Sequence, residues 1–515
     1  MKRKTQTIKN VLSYLIPYFI IAILGFVKLK YLLSGLGVEI YALNQLFIQI
    51  FAYISILEGG IGVLITQAYY KYFAEENIDK NKIVSIFIAS KKILNKIATL
   101  MIIIGIVVSF FLNILTNNSL SLIYMQFLFI LYVVRSAIEY FMFAPRFVLM
   151  ANQEVYKINI TLNIYKIIEA IVEIILLIYK QNYALILIFT ICIRFFAYFM
   201  ANRKVYKKFP WLKTIKPTEK YNFDTKGISA IVSIKVVGAV NDNTDILLIS
   251  SFLTPLAVTI YSSYNYIVKF LNDIVIQIGN GTVASFGNVI YGKDSKDKEI
   301  NVFEKINTFF LFAATFFFIA LLFSIDKFVI LWIGKESLIS KVGLISMLII
   351  MYISIVLKPF TMVRDSMGLF KEFKKIAIFE AVINALLSFV FILKFKKLEV
   401  VLYATIIARL LTTMWYYPKY IYKNVFDISV LNYIKKNLLN IFSIVVFSFI
   451  IAFINNYVLV TNYFNWFLYS LVFCIILLLF LILMYYIFDN SFRELIKDFK
   501  EMIFKRKEKN VWKKY

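Results

Sequence analysis

The sequence predicts an all-α polytopic membrane protein with about fourteen transmembrane helices. Apolar stretches of about 20 residues, long enough to cross a bilayer as a helix, follow one another from Ile8 to Phe488. Nearly every second gap between them is rich in Lys and Arg, which is typical of cytoplasmic loops. The composition agrees, because 61% of the residues are hydrophobic and only 17% are charged, with a mean hydropathy of +0.78.

The predicted spans must be helical, because lipid offers no hydrogen-bond partner to a free backbone group. Their approximate bounds are 8–33, 40–67, 93–115, 120–145, 156–179, 182–202, 228–253, 256–290, 306–333, 338–363, 373–393, 398–420, 438–460 and 464–489. The basic segments are both termini and the gaps after the even-numbered spans. We therefore expect both termini to be cytoplasmic.

The composition also excludes several classes of function. The formal charge of +27 comes mostly from loops and tails beside apolar spans, where Lys and Arg meet the headgroups of membrane lipids, so we expect no nucleic-acid partner. The chain has no histidine, the usual proton shuttle and metal ligand, and Cys192 and Cys474 lie too far apart for a metal motif. No hydrophilic segment is long enough for a soluble catalytic domain, and we expect no enzyme activity.

A basic segment at 203–227, with two prolines, separates two halves of the chain. Short matches support a repeated six-span unit, such as Val-Glu-Ile-Tyr at 38–41 and Val-Thr-Ile-Tyr at 258–261. We predict four parts: a six-helix lobe over 1–205, a cytoplasmic linker over 206–227, a second six-helix lobe over 228–425, and two further helices with a basic tail over 426–515.

Three segments, 9–45, 144–160 and 241–269, resemble polysaccharide flippases of the multidrug/oligosaccharidyl-lipid/polysaccharide exporter superfamily. The resemblance implies two six-helix lobes in a V-shaped, MATE-like arrangement plus two C-terminal helices, in a bacterial plasma membrane. It also implies that undecaprenyl-diphosphate-linked oligosaccharide moves to the outer leaflet by alternating access, for capsule, O-antigen or exopolysaccharide synthesis. Polysaccharide polymerases and glycosyltransferases are then expected partners, and no cofactor is expected.

Ionisable residues within the spans are costly and are therefore candidates for function. A lipid diphosphate needs cations in a low-dielectric space, so the basic candidates for substrate binding are Lys28, Lys269, Arg135, Arg194 and Lys235. Lys28 and Lys269 come first because they lie in spans where the related lipid II flippases carry cavity arginines. Snorkelling of Lys28 to the interface is the alternative.

Neutralisation by neighbours on the same helix is the other alternative for these cations. The spacing allows pairs of Arg135 with Glu139, of Lys269 with Asp273, and of Lys166 with Glu169 or Glu173.

A polar cluster in the seventh span suggests coupling to Na⁺ or H⁺. Its candidates are Asp242 and Asp245, with oxygen ligands completed by Glu380, Asn384 and Thr405. This set is similar to the cation site of sodium-linked superfamily members. The alternative is that these polar residues form the wall of a hydrated cavity, or that Lys235 pairs with Asp242, in either case without ion coupling.

Two other functions remain open. A MATE-type, cation-coupled drug antiporter needs an acidic, aromatic cavity, whereas the charges here are mixed and include cations in both halves. A membrane-embedded polysaccharide polymerase or glycosyltransferase usually has a large outer loop or a carboxylate motif, and the outer gaps here are short.

Overall fold

A computed structural model describes residues 2–74, 79–152, 154, 156–180, 182–223, 228–290, 296–455, 457–458, 460–498 and 501. Within these residues the secondary structure is helical and contains no strand. The helices up to residue 252 are α1 (Lys2–Ile54), α2 (Ile61–Ala74), α3 (Lys80–Ser109), α4 (Leu112–Leu115), α5 (Leu122–Met142), α6 (Ala144–Ala151), α7 (Tyr156–Ile178), α8 (Tyr183–Lys208), α9 (Trp211–Thr214) and α10 (Ile228–Phe252).

The helices after residue 252 are α11 (Pro255–Ile290), α12 (Lys296–Ile333), α13 (Lys341–Val356), α14 (Lys358–Met367), α15 (Phe370–Phe395), α16 (Glu399–Leu411), α17 (Thr413–Tyr420), α18 (Leu431–Ile454) and α19 (Tyr463–Phe488). Short 3-10 turns lie at Ser55–Glu58 and Lys335–Ser337, and a π turn lies at Ile421–Phe426.

These helices confirm the predicted all-α membrane fold. In the described part of the chain, ten helical stretches are long and apolar enough to cross a membrane. One of them, Pro17–Tyr70, covers most of the first two predicted spans. Helices α7, α10 and α11 coincide with the fifth, seventh and eighth predicted spans but are not among these ten stretches. Charged residues interrupt the apolar sequence of α7 at 166, 169 and 173 and that of α10 at 235, 242 and 245.

Gly37 interrupts α1 in the predicted gap between the first two spans. Its φ of 83° and ψ of 174° lie outside the helical region, in a conformation that only glycine adopts readily. The helix resumes beyond Gly37 and continues to Ile54, so the second predicted span comprises the end of α1, the turn at Ser55–Glu58 and the beginning of α2.

The chain divides into two compact units, Met1–Thr259 and Ile260–Tyr515. In the first unit, α7 packs against α1 and α8, α5 packs against α3 and α8, and α10 packs against α1. This last contact places α10 with the first unit, whereas the sequence assigns it to the second lobe. The predicted lobe boundaries at 205 and 228 remain a prediction.

The predicted linker packs against the first unit over most of its described length. Phe209 and Leu212 are buried in a core formed by α2, α3, α6, α7 and α8, and Tyr221 packs against this core. Glu219 forms an ion pair with Lys82 of α3, and its carbonyl accepts a hydrogen bond of 2.8 Å from Ser85.

In the second unit, α12 packs against α13, α18 and α19, and α16 packs against α13 and α15. Lys436 of α18 joins the C-terminal helices to α12, because its Nζ lies 2.7 Å from Glu304 and 3.2 Å from Asp489. Asp489 in turn accepts a hydrogen bond of 3.0 Å from Thr308 of α12. The two additional helices are therefore attached to the second unit by buried polar contacts.

We predict that Gly37→Ala lowers the thermal stability of the detergent-solubilised protein. A Cβ at φ 83° costs about 1–3 kcal/mol of backbone strain. Gly238→Ala in α10 is the matched control, because no described atom lies within 4 Å of a Cβ there and alanine favours a helix. Equal shifts of the unfolding midpoint for the two variants would contradict the role of Gly37.

Candidate charge-binding site

Five ionisable side chains from four helices of the first unit meet within the predicted spans, and we call them the α7 charge cluster. Its members are Lys28 of α1, Arg135 of α5, Glu169 and Glu173 of α7, and Arg194 of α8. Glu173 accepts hydrogen bonds from Lys28 Nζ at 2.8 Å and from Arg135 Nη2 at 3.2 Å. Glu169 pairs with Arg135 and lies 3.0 Å from Arg194 Nε.

The position of the cluster follows from the sequence of α7. Glu169 and Glu173 are four residues apart, so both carboxylates lie on one face of this helix. Both residues are buried, and that face contacts α1, α5 and α8, each of which supplies one cation. Three predicted substrate-binding cations are thus brought together around two acidic residues.

The predicted pairing of Arg135 with Glu139 is wrong. Arg135 instead reaches across to α7, where two carboxylates one turn apart offer its guanidinium more acceptors than the single Glu139 on its own helix. The pairing of Lys166 with Glu169 or Glu173 is also wrong. Lys166 lies on the same face of α7, but in the described part of the chain the two carboxylates pair with Lys28, Arg135 and Arg194. Lys28 turns towards Glu173, so snorkelling does not describe its position.

The charges in the cluster do not cancel. Three cations face two carboxylates, which leaves an excess of one positive charge. Arg135 is buried, and its Nε has no hydrogen-bond partner among the described residues. The side chains of Lys28 and Arg194 are 35% and 28% exposed. The cluster can therefore present cationic groups to an anion while its carboxylates remain covered.

The polar part of α10 has its own neighbours in the first unit. Asp245 is buried and Asp242 is exposed, while Tyr53 of α1 and Thr244 of α10 share a hydrogen bond of 2.6 Å. Lys235 Nζ lies 3.8 Å from Glu58, so its ion pair is with Glu58 and the alternative Lys235–Asp242 pair is wrong. The polar groups of α10 are therefore held beside α1 and the turn that follows it.

The remaining coupling candidates lie in the second unit. Thr405 of α16 donates a hydrogen bond of 3.0 Å to Asn384 of α15, and Ser388 donates one of 3.2 Å to the same oxygen. Glu380 lies 3.7 Å from Nε of Arg409, whose positive charge already compensates the carboxylate of Glu380. Among the described residues, no group of three or more acidic or cysteine side chains is arranged to hold a metal ion.

Two features of the site escape the sequence-based prediction. The sequence pairs Glu169 or Glu173 with Lys166 of their own helix, whereas in the structure their cations come from α1, α5 and α8. The available signal is an acidic pair spaced by four residues within a predicted span. Arg409 is the partner of Glu380, although the two are distant in sequence and no local pattern connects them. Lys269 lies exposed on α11, outside the α7 charge cluster.

Comparison with solved structures identifies the fold. The structure of the lipid II flippase MurJ in an inward closed conformation matches with a TM-score of 0.67 at 16% identity, covering 94% of this chain and 100% of that chain. A MATE transporter of the MOP superfamily in an inward-facing conformation gives a TM-score of 0.58 at 12% identity, covering 79% and 95%. The MATE multidrug transporter DinF-BH gives 0.53 at 16% identity, covering 82% and 97%.

The chain therefore has the same fold as these MurJ and MATE structures, as the sequence predicts. No protein-family model matches the sequence, and no curated protein matches it. At these identities the likeness shows the fold alone, and the function must be argued from the residues.

We predict that Glu169→Gln destabilises the protein by about 3 kcal/mol, because it leaves the buried Arg135 with less compensating charge. Glu139→Gln is the control, since Glu139 lies on α5 outside the cluster. Unfolding in detergent measures both variants. In a double-mutant cycle, Arg135→Leu and Glu169→Leu together should cost less than the sum of the single changes, by at least about 1 kcal/mol. Strict additivity would refute the coupling.

Proposed function

We propose that this chain is a transporter that moves undecaprenyl-diphosphate-linked oligosaccharide from the cytoplasmic to the outer leaflet of a bacterial plasma membrane. The observation that carries the proposal is the excess positive charge of the α7 charge cluster. The transporter fold is consistent with it, and a lipid-linked substrate agrees with the likeness to a lipid II flippase structure. Surface polysaccharide synthesis is the process we infer.

The electrostatics of the cluster suit a diphosphate. Moving a charged headgroup into an apolar environment is very unfavourable unless cations replace its water. Lys28 and Arg194 are partly exposed, and each is already held in place by a carboxylate of α7. A phosphate that approaches them can share their remaining donors without first having to order two flexible side chains. The guanidinium of Arg194 can also bind two phosphate oxygens at once.

A cation-coupled drug antiporter is the second candidate, and the acidic pair on α10 is the observation that favours it. Asp245 is buried and Asp242 is exposed one turn away. We propose that these two carboxylates of α10 couple flipping to Na⁺ or H⁺. The carboxylates of the α7 charge cluster do not bind a cationic drug, because each already has a cation beside it. The candidates in the second unit, Glu380, Asn384 and Thr405, are weaker for coupling, since Arg409 lies beside Glu380.

We also propose that the protein makes and breaks no covalent bond. A membrane-embedded polymerase or glycosyltransferase would need a catalytic carboxylate with access to an acceptor hydroxyl. Glu169 and Glu173 instead bind cations and are buried. The same transport assay tests this point, because the recovered lipid-linked glycan should have unchanged mass.

We expect Lys28→Gln and Arg194→Gln each to lower the flipping rate at least about tenfold, because each removes a charge worth about 1.4 kcal/mol or more to a desolvated phosphate. The assay uses proteoliposomes with undecaprenyl-diphosphate oligosaccharide that carries a fluorophore, and an impermeant quencher reports its arrival at the opposite leaflet. Lys30→Gln, an exposed lysine on the same helix, is the control for lost charge and should flip normally.

The proposal fails if the wild-type protein flips this lipid no faster than empty liposomes do. Accumulation of ethidium in the same vesicles, driven by a sodium or proton gradient, would support the antiporter instead.

We expect Asp245→Asn to abolish the dependence of flipping on the sodium or proton gradient, because an amide neither ionises nor supplies a full negative charge to a cation. Flipping is measured with and without each gradient. Asp297→Asn, the same change at an exposed position outside the predicted spans, is the control and should leave the gradient dependence intact. An Asp245→Asn protein that keeps its gradient dependence would exclude coupling through this residue.

A further inference from the structure

We propose that the first unit carries a binding site for an anionic phospholipid of the surrounding membrane, at the ends of α7 and α8 that the sequence predicts to be cytoplasmic. The site is a pocket of about 520 Å³ whose lining includes Tyr156, Lys157, Ile160, Lys204, Lys207 and Lys208. None of these residues belongs to the α7 charge cluster. The inference therefore goes beyond the proposed transport function and does not depend on it.

The pocket has a strong excess of positive charge. Four of its lining residues are lysines. In the described part of the chain two of them have a carboxylate partner, Glu154, which pairs with Lys157 at 2.6 Å and with Lys208. Burial alone would raise the pKa of Glu154, but the hydrogen bonds from these two lysines outweigh it and lower the pKa. Glu154 is therefore ionised at neutral pH, and an excess of three positive charges remains.

The lysines are arranged around the pocket by the two helices. Lys204 of α8 donates a hydrogen bond of 2.6 Å to Thr161 of α7, which positions it across the helix pair. Lys207 and Lys208 follow on the last turn of α8, and both are exposed. The pocket thus offers ammonium groups from both helices to a single anionic headgroup.

An apolar stripe leads from this pocket along the outside of α7. Ile160 lies at the pocket, and the stripe continues with exposed isoleucines every three or four residues: Ile160, Ile164, Ile168, Ile171, Ile175 and Ile178. At 1.5 Å per residue the stripe is about 27 Å long, close to the thickness of the hydrocarbon core. Acyl chains can therefore lie along the stripe while a headgroup occupies the pocket.

This combination identifies the occupant as a lipid. A soluble phosphate would use the lysines but would leave the isoleucine stripe unexplained. A zwitterionic lipid would use the stripe but would not benefit from three uncompensated positive charges. Basic pockets between membrane helices are known to favour anionic headgroups, at about 1 kcal/mol for each lysine near the surface.

The test uses phosphatidylglycerol with a photoreactive diazirine in one acyl chain, added to the full-length protein in detergent. We expect cross-links on the exposed face of α7, located by mass spectrometry of the peptides. Matched diazirine phosphatidylcholine should give at least about tenfold fewer cross-links. Lys204→Gln with Lys207→Gln should reduce the phosphatidylglycerol cross-links at least about tenfold, since two lysines are lost.

The matched control is Lys371→Gln with Lys375→Gln on α15, which removes two lysines outside the pocket and should leave cross-linking unchanged. Unfolding without lipid should be the same for both double variants, which separates lost binding from lost folding. Equal labelling by the two lipids, or full labelling of the Lys204/Lys207 variant, would overturn the proposal. Full competition by millimolar inorganic phosphate would identify a soluble anion as the occupant and would also overturn it.

Discussion

A carboxylate buried in an apolar helix must have a cation beside it, and α7 carries two such carboxylates on one face. Removing each ion from water costs several kcal/mol, and only close, well-oriented partners offset that cost. Glu169 and Glu173 obtain these partners from three different helices, α1, α5 and α8. The rotation of each helix about its axis is thereby restricted, because turning Lys28, Arg135 or Arg194 outwards would leave a buried carboxylate with fewer partners.

The second unit satisfies the same constraint with the signs reversed. There a single cation, Lys436, lies between the carboxylates of Glu304 on α12 and Asp489 at the end of α19. Helices in lipid gain little from hydrophobic contact with one another, because lipid tails are as apolar as their side chains. Buried polar contacts of this kind can therefore determine which helices become neighbours. This explains how α18 and α19, whose surfaces are largely apolar, acquire a defined position on α12.

The sequence predicts the helices well and the partners of charged residues poorly, and the reason is physical. Helix positions follow from local apolarity, which the bilayer imposes on each segment separately. A partner depends on which helices pack together. Arg135 has a suitable acid four residues away on its own helix, yet it pairs with α7. The special conformation of Gly37 is not predictable either, because nothing near it in the sequence distinguishes it from glycines that lie inside helices.

The first unit thus holds two basic sites that differ in how much water their cations retain. At the ends of α7 and α8, Lys204, Lys207 and Lys208 are exposed, so they can attract a headgroup that stays hydrated at the membrane surface. In the α7 charge cluster, Arg135 is buried and the carboxylates are covered, so an anion there must give up water and replace it with fixed donors. A site of the first kind favours anionic lipids in general. A site of the second kind discriminates between anions by the number and geometry of their oxygens.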